Sequence, residues 1–143
     1  MNERSKIQKK IEKTYFFEKY VWTFTIMVNV GFSDIDKILY NLHNVKAKRE
    51  VSEKIYELFK ERKENVGFTF SKNNGKKSIL VIGNSSDKKS FFNTFSHEVA
   101  HLAIHIATEF GISLVGEEFC YLVGELSELM FDDISCFFCD CNF

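Results

Sequence analysis

The strongest constraint on the fold is one long apolar helix pattern. From about Lys89 to Phe110, residues Phe95, Val99, Leu102, Ala103, Ile106 and Phe110 recur at helical spacing. Gly111 stands where a helix-ending glycine belongs. The flank formed by Ala100, Ile104 and Ala107 is apolar as well. A helix apolar on most sides has to be covered on most sides, so the rest of the chain must supply that cover. The chain has 143 residues, which fits one domain. It contains no proline, which removes Pro-rich linkers and kinks.

The remaining elements follow from local pattern. Residues 20–30, YVWTFTIMVNV, are rich in β-branched and aromatic side chains and read as a buried strand. Residues 34–44 and 47–64 carry Ile35, Ile38, Leu39 and Leu42, then Val51, Ile55, Leu58 and Phe59, at helical spacing. They read as two amphipathic helices, or one interrupted near Asn44. VGFTF (66–70) and SILVIG (78–83) read as a hairpin whose connection holds Asn74–Gly75, a pair suited to positive φ. A last helix is expected from about Gly116 to Phe131. The charged stretch 3–20 is compatible with a helix. The expected fold is α+β: a small, mainly antiparallel sheet of three strands packed with four or five helices. The expected division is an N-terminal strand-and-helix part over 1–65, a core over 66–131 and a Cys-rich tail over 132–143.

Composition narrows the function classes. An apolar fraction of 45% and a charged fraction of 27% are those of an ordinary globular protein. The net charge of −1 argues against a nucleic-acid binder. The charge is divided, however. Residues 97–143 hold nine acids and no Lys or Arg, and the first 96 residues are net basic. The basic run around Lys46–Arg49 and the stretch Glu61–Glu64 are interleaved with acids and read as solvated helix faces. The apolar stretch 15–32 is interrupted by Glu18, Lys19, Thr23, Thr25 and Asn29, so neither a membrane span nor a signal peptide is expected. Cys120, Cys136, Cys139 and Cys141 crowd the last 24 residues, with no cysteine before them. This is not a disulfide framework, and a reducing, cytoplasmic setting is expected. Cys136, Cys139 and Cys141 have spacing that fits part of a metal site, but reduced thiols are the plainer reading.

The chemistry lies in the long helix. Residues 97–101 read His-Glu-Val-Ala-His. Histidines at i and i+4 share a helix face and can hold one metal ion together. Glu98, beside them, can take a proton from a water that Zn²⁺ has acidified. The two histidines lie opposite the main apolar stripe, which makes them ligand candidates rather than core residues. His105 extends the row, but by helical rise it is about 12 Å from His97, too far to share one ion with both others. It either faces substrate or is a buried structural histidine. A catalytic zinc needs a third protein ligand. Glu117 and Glu118 open the next helix. Glu117 is favoured because Tyr121 and Gly124 follow it on the same face. Tyr121 or His105 could stabilise an oxyanion.

His97-Glu98-x-x-His101 followed by a glutamate on the next helix resembles the gluzincin group of zinc metallopeptidases. The row His97, His101, His105 is similar to small cytoplasmic zincins of the ImmA/IrrE kind, often encoded on mobile elements. The segment from Gly116 to Gly124 is similar to a pattern of small phage-type zincin-like proteins. The resemblance covers about residues 66–131. It implies a zincin-like fold, zinc held by His97, His101 and Glu117, and Glu98 as general base. The expected function is hydrolysis of peptide bonds in a peptide or protein substrate, with an edge strand near the metal helix, VGFTF or SILVIG, binding the substrate backbone. The alternative expectations are a catalytically inactive zincin-like interaction protein of phage or mobile-element origin, and a purely structural metal-binding protein.

Overall fold

The computed structural model describes residues 9–72 and 74–139. The two most apolar segments become its central strands. The second strand, Trp22–Val30 (β2), and the fourth, Lys77–Gly83 (β4), lie side by side and parallel. Strands buried on both faces read as near-continuous apolar runs, and both of these do. The first strand, Ile11–Phe17 (β1), pairs antiparallel with β2, and the third, Gly67–Ser71 (β3), pairs antiparallel with β4. The sheet order is therefore β1-β2-β4-β3.

Two expectations need correction here. The sheet has four strands rather than three, and its central pair is parallel. Residues 11–17 are a strand, not part of an N-terminal helix. They form an edge strand, and only Tyr15 in it is buried, so the charged residues that suggested a helix face solvent.

Side chains alternate across the sheet, which separates two cores. Leu80 and Ile82 face one side with Phe24, Ile26 and Val28, while Ile79 and Val81 face the other with Met27 and Val30. The helices Ile35–Asn44 (α1) and Arg49–Glu61 (α2) cover the second side through Ile38, Leu42, Ile55 and Phe59. The long helix Lys88–Phe110 (α3) and the last helix Glu117–Ile134 (α4) cover the first.

Both ends of α3 follow local rules. Asp87 accepts a 2.7 Å hydrogen bond from the Ser90 amide at the N-terminus, and Gly111 at φ 67° ends the helix. The expected Cys-rich tail is partly a core element. After α4 a short turn, Ser135–Phe138, buries Phe137, whose ring stacks on Phe91 at 4.9 Å. Cys120 and Cys139 are exposed and Cys136 is half-buried, while Cys141 lies outside the described residues. Among the described residues, no helix is long and apolar enough to cross a membrane.

Candidate metal centre

The middle turns of α3 run beside β3, an edge of the sheet. The approach is close. A Cβ on Gly67 would lie 2.8 Å from Cγ2 of Thr94 and 3.0 Å from Cγ of Glu98, so this position requires glycine. One strand step pair further on, the Thr69 hydroxyl lies 3.1 Å from the Glu98 carbonyl oxygen and 3.2 Å from its Oε2, and donates to them.

Helical spacing then sets the chemistry. His97 and His101, one turn apart, bring their Nε2 atoms to 3.1 Å. Glu98 Oε1 lies 4.0 Å from His97 Nε2. One donor atom from each of the three residues falls within 4.8 Å of the others. Two nitrogens bound to one tetrahedral zinc at 2.0–2.1 Å would sit about 3.4 Å apart, so the pair needs only a small adjustment to hold the ion. The donor set of two imidazoles and an adjacent carboxylate also suits zinc chemically.

The environments within the group differ. Glu98 is 3% exposed, while the His97 side chain is 65% exposed. Burial pushes the Glu98 carboxyl above its ordinary value, against the pull of His101, the Thr69 hydroxyl and His97. The helix was expected to be covered on most sides, yet His97 and His101 are open. Helix α3 buries Glu98, Val99, Leu102, Ala103, Ile106 and Ala107, and leaves His97, His101 and Thr108 in solvent.

His105 is held by a chain of hydrogen bonds that starts at Trp22. Trp22 Nε1 is a donor only, and it donates to Ser78 Oγ at 2.8 Å. Ser78 is buried and its hydroxyl lies 2.6 Å from Ser71 Oγ, which in turn lies 2.6 Å from His105 Nδ1. The indole, the two serine hydroxyls and the imidazole therefore form one continuous hydrogen-bonded chain from β2 through β4 and β3 to α3. Burial, and secondarily His101, hold the His105 pKa below the ordinary histidine value.

Glu117 and Tyr121 are not brought into this group. Tyr20 Oη donates to Glu118 at 3.5 Å, and the Tyr20 ring packs on Phe110 at 5.1 Å. The first turn of α4 therefore lies beside the end of α3, and Phe110 is about 13 Å along the axis from His101. Glu117 is exposed there, and Tyr121 is 65% exposed with no hydrogen bond among the described residues. Sequence reasoning missed Thr69 and Ser71. Their signal was the alternation Gly67, Thr69, Ser71, three small residues on one face of a strand. Comparison of the chain with family models, with curated proteins and with solved structures finds no match.

Proposed function

We propose that the chain is a zinc-dependent peptidase whose metal is held by His97 and His101 and whose general base is Glu98. The observation that carries this reading is the pair of Nε2 atoms 3.1 Å apart with a buried carboxylate beside them. Zinc at such a site supplies Lewis acidity and acidifies water. Glu98, its pKa raised by burial, suits a group that takes a proton from the attacking water and returns it to the leaving amine. Thr69 orients that carboxylate. Glu117 and Tyr121 have no part in the proposal, since α4 opens level with the far end of α3.

The substrate surface is the outer edge of β3. β4 lies between β2 and β3, so of the two candidate strands only β3 has a free edge. The hydrogen bonds from Gly83 N to Val66 O (2.7 Å) and from Lys72 N to Lys77 O (2.9 Å) bracket its ladder with β4. Positions 66, 68, 70 and 72 therefore bond inward, and the backbone groups of Gly67, Thr69 and Ser71 point outward. A peptide can add there as a fifth strand, alongside the histidine group.

A second reading, a zincin-like module that binds partners without catalysis, is favoured by one observation. Among the described residues, no third protein ligand joins the two histidines and Glu98. The test is elemental analysis of metal-replete protein together with hydrolysis of a peptide library. Stoichiometric zinc, with turnover reduced about 10²–10⁴-fold in Glu98→Gln while zinc is retained, supports the peptidase. Zinc without turnover supports the module. Absence of zinc overturns both.

A further inference from the structure

At the C-terminal end of β3, a recess of about 390 Å³ opens on the face opposite the histidines. It is lined by Lys46, Lys48 and Lys72 around Val51, Phe70 and Ser71, with no acid in its wall. Lys72 also borders a second recess, on the α3 side, with His105 and Glu109. Arg49 pairs with Glu53 at 2.9 Å, and Glu50 and Glu53 line a different recess along α2.

The backbone at Lys46 is fixed by the end of α1. The amide of Lys46 bonds to His43 O at 2.9 Å and that of Ala47 to Leu42 O at 3.0 Å, the pattern of a helix-ending Schellman turn. The residue at the left-handed position of that turn is normally glycine, yet here it is Lys46 at φ 55°. The fixed turn also holds Lys48 beside the recess.

We propose that the end of β3 binds an extended acidic peptide, with one carboxylate side chain seated among Lys46, Lys48 and Lys72. A peptide paired along the outer edge of β3 sends alternate side chains to opposite faces. The residue beside Phe70 then enters the lysine recess, and its neighbours turn toward α3. Val51 and Phe70 give the methylene groups of that side chain an apolar floor. That the bound peptide is a substrate rests on the peptidase reading above; the binding itself does not.

The experiment measures fluorescence anisotropy of matched extended decapeptides, one with a central pair of Glu residues, one with Gln and one with Lys. The full chain is used with zinc and, separately, with chelator. The expected result is acidic-peptide affinity about tenfold above the Gln peptide at low salt, weakening as salt rises, with and without metal. Alternate N-methylation of the acidic peptide should abolish binding in one register and spare it in the other. Lys46→Gly is the decisive variant. It should raise the melting temperature, by relieving the turn, and lower acidic-peptide affinity severalfold. Equal binding of the three peptides, or unchanged affinity in Lys46→Gly and in Lys48→Ala/Lys72→Ala, overturns the proposal. So does competition by free glutamate as strong as by the peptide. Acidic binding without any hydrolysis would leave this inference standing and remove only the peptidase reading. Hydrolysis indifferent to peptide charge would do the reverse.

Discussion

The two faces of the sheet are built from similar apolar side chains but differ in what else they bury. Toward α1 and α2 the core is wholly apolar, with Met27, Ile38, Leu42, Phe59, Ile79 and Val81 at its centre. The face toward α3 and α4 carries both buried polar residues found among the described residues, Ser78 and Glu98. Ser78 is satisfied by Trp22 and Ser71, whereas Glu98 has a single hydroxyl from Thr69 for a carboxylate that is almost fully out of water. Burying an ionisable group with so little support costs stability. The α3 face carries that cost and the α1–α2 face does not.

The sharpest way to break this contrast is to remove metal ligands from one face and packing from the other. His97→Ala with His101→Ala should eliminate zinc binding completely. Both side chains are in solvent, so denaturant unfolding of the metal-free variant should stay within about 0.5 kcal/mol of wild type. Phe59→Ala should do the opposite. Phe59 is 2% exposed, and truncating it should cost about 3–5 kcal/mol while zinc per folded chain stays at the wild-type value. Loss of zinc in Phe59→Ala would show that the faces are coupled. The route would be Phe68 of β3, whose ring lies 6.2 Å from that of Phe59.

The parts of the molecule legible in the sequence are those set by local pattern. The helix 88–110, its glycine stop, the hairpin and the His97/His101 pairing all depend on residues within a turn or two of one another. β1 was not legible because IEKTYFF is an edge strand with one buried side chain, so period-two burial is hidden among charges. The parallel pairing of β2 with β4 depends on how α1 and α2 return the chain, which no short window contains. Among the described residues, Glu117 does not join the histidine group, and no short window shows where it falls. Glu117 has suitable chemistry and helix phase, but its neighbour Glu118 reaches Tyr20, whose ring packs on Phe110, which sets the first turn of α4 near the end of α3. Thr69 and Ser71 reach the site across the sheet–helix interface, and only their small size on alternate positions hinted at it.

A smaller effect tests whether Glu98 carries the cost assigned to it. Its carboxyl is raised in the folded chain, so the folded state holds the proton more tightly than the unfolded state. Below the ordinary Glu value, near 4.3, both states are protonated and nothing is lost; above the folded value the full cost applies. Glu98→Gln should therefore raise the melting temperature of chelator-treated protein at pH 7, and the gain should shrink as pH falls to 4. A variant less stable at pH 7 would mean that the Thr69 contact outweighs the burial.

The smallest expected effect lies at the seam between edge strand β1 and α4. Asp133 accepts hydrogen bonds from Lys13 Nζ, at 2.7 Å, and from the Tyr15 hydroxyl. These two donors, Lys13 first, hold its carboxyl below the ordinary aspartate value against a small opposing effect of burial. Here the sign is the reverse of that at Glu98. The stabilisation is complete above the unfolded aspartate value near 3.9 and is lost as pH falls through the folded one. Asp133→Asn should cost up to about 1 kcal/mol at pH 7, because the ion pair is partly exposed, and the difference should vanish under acid conditions. Urea unfolding of both proteins across pH 2–7 measures it. A constant difference across that range would assign the contribution to the Tyr15 contact and to packing rather than to charge, since Asn can still accept from that hydroxyl only as a neutral partner.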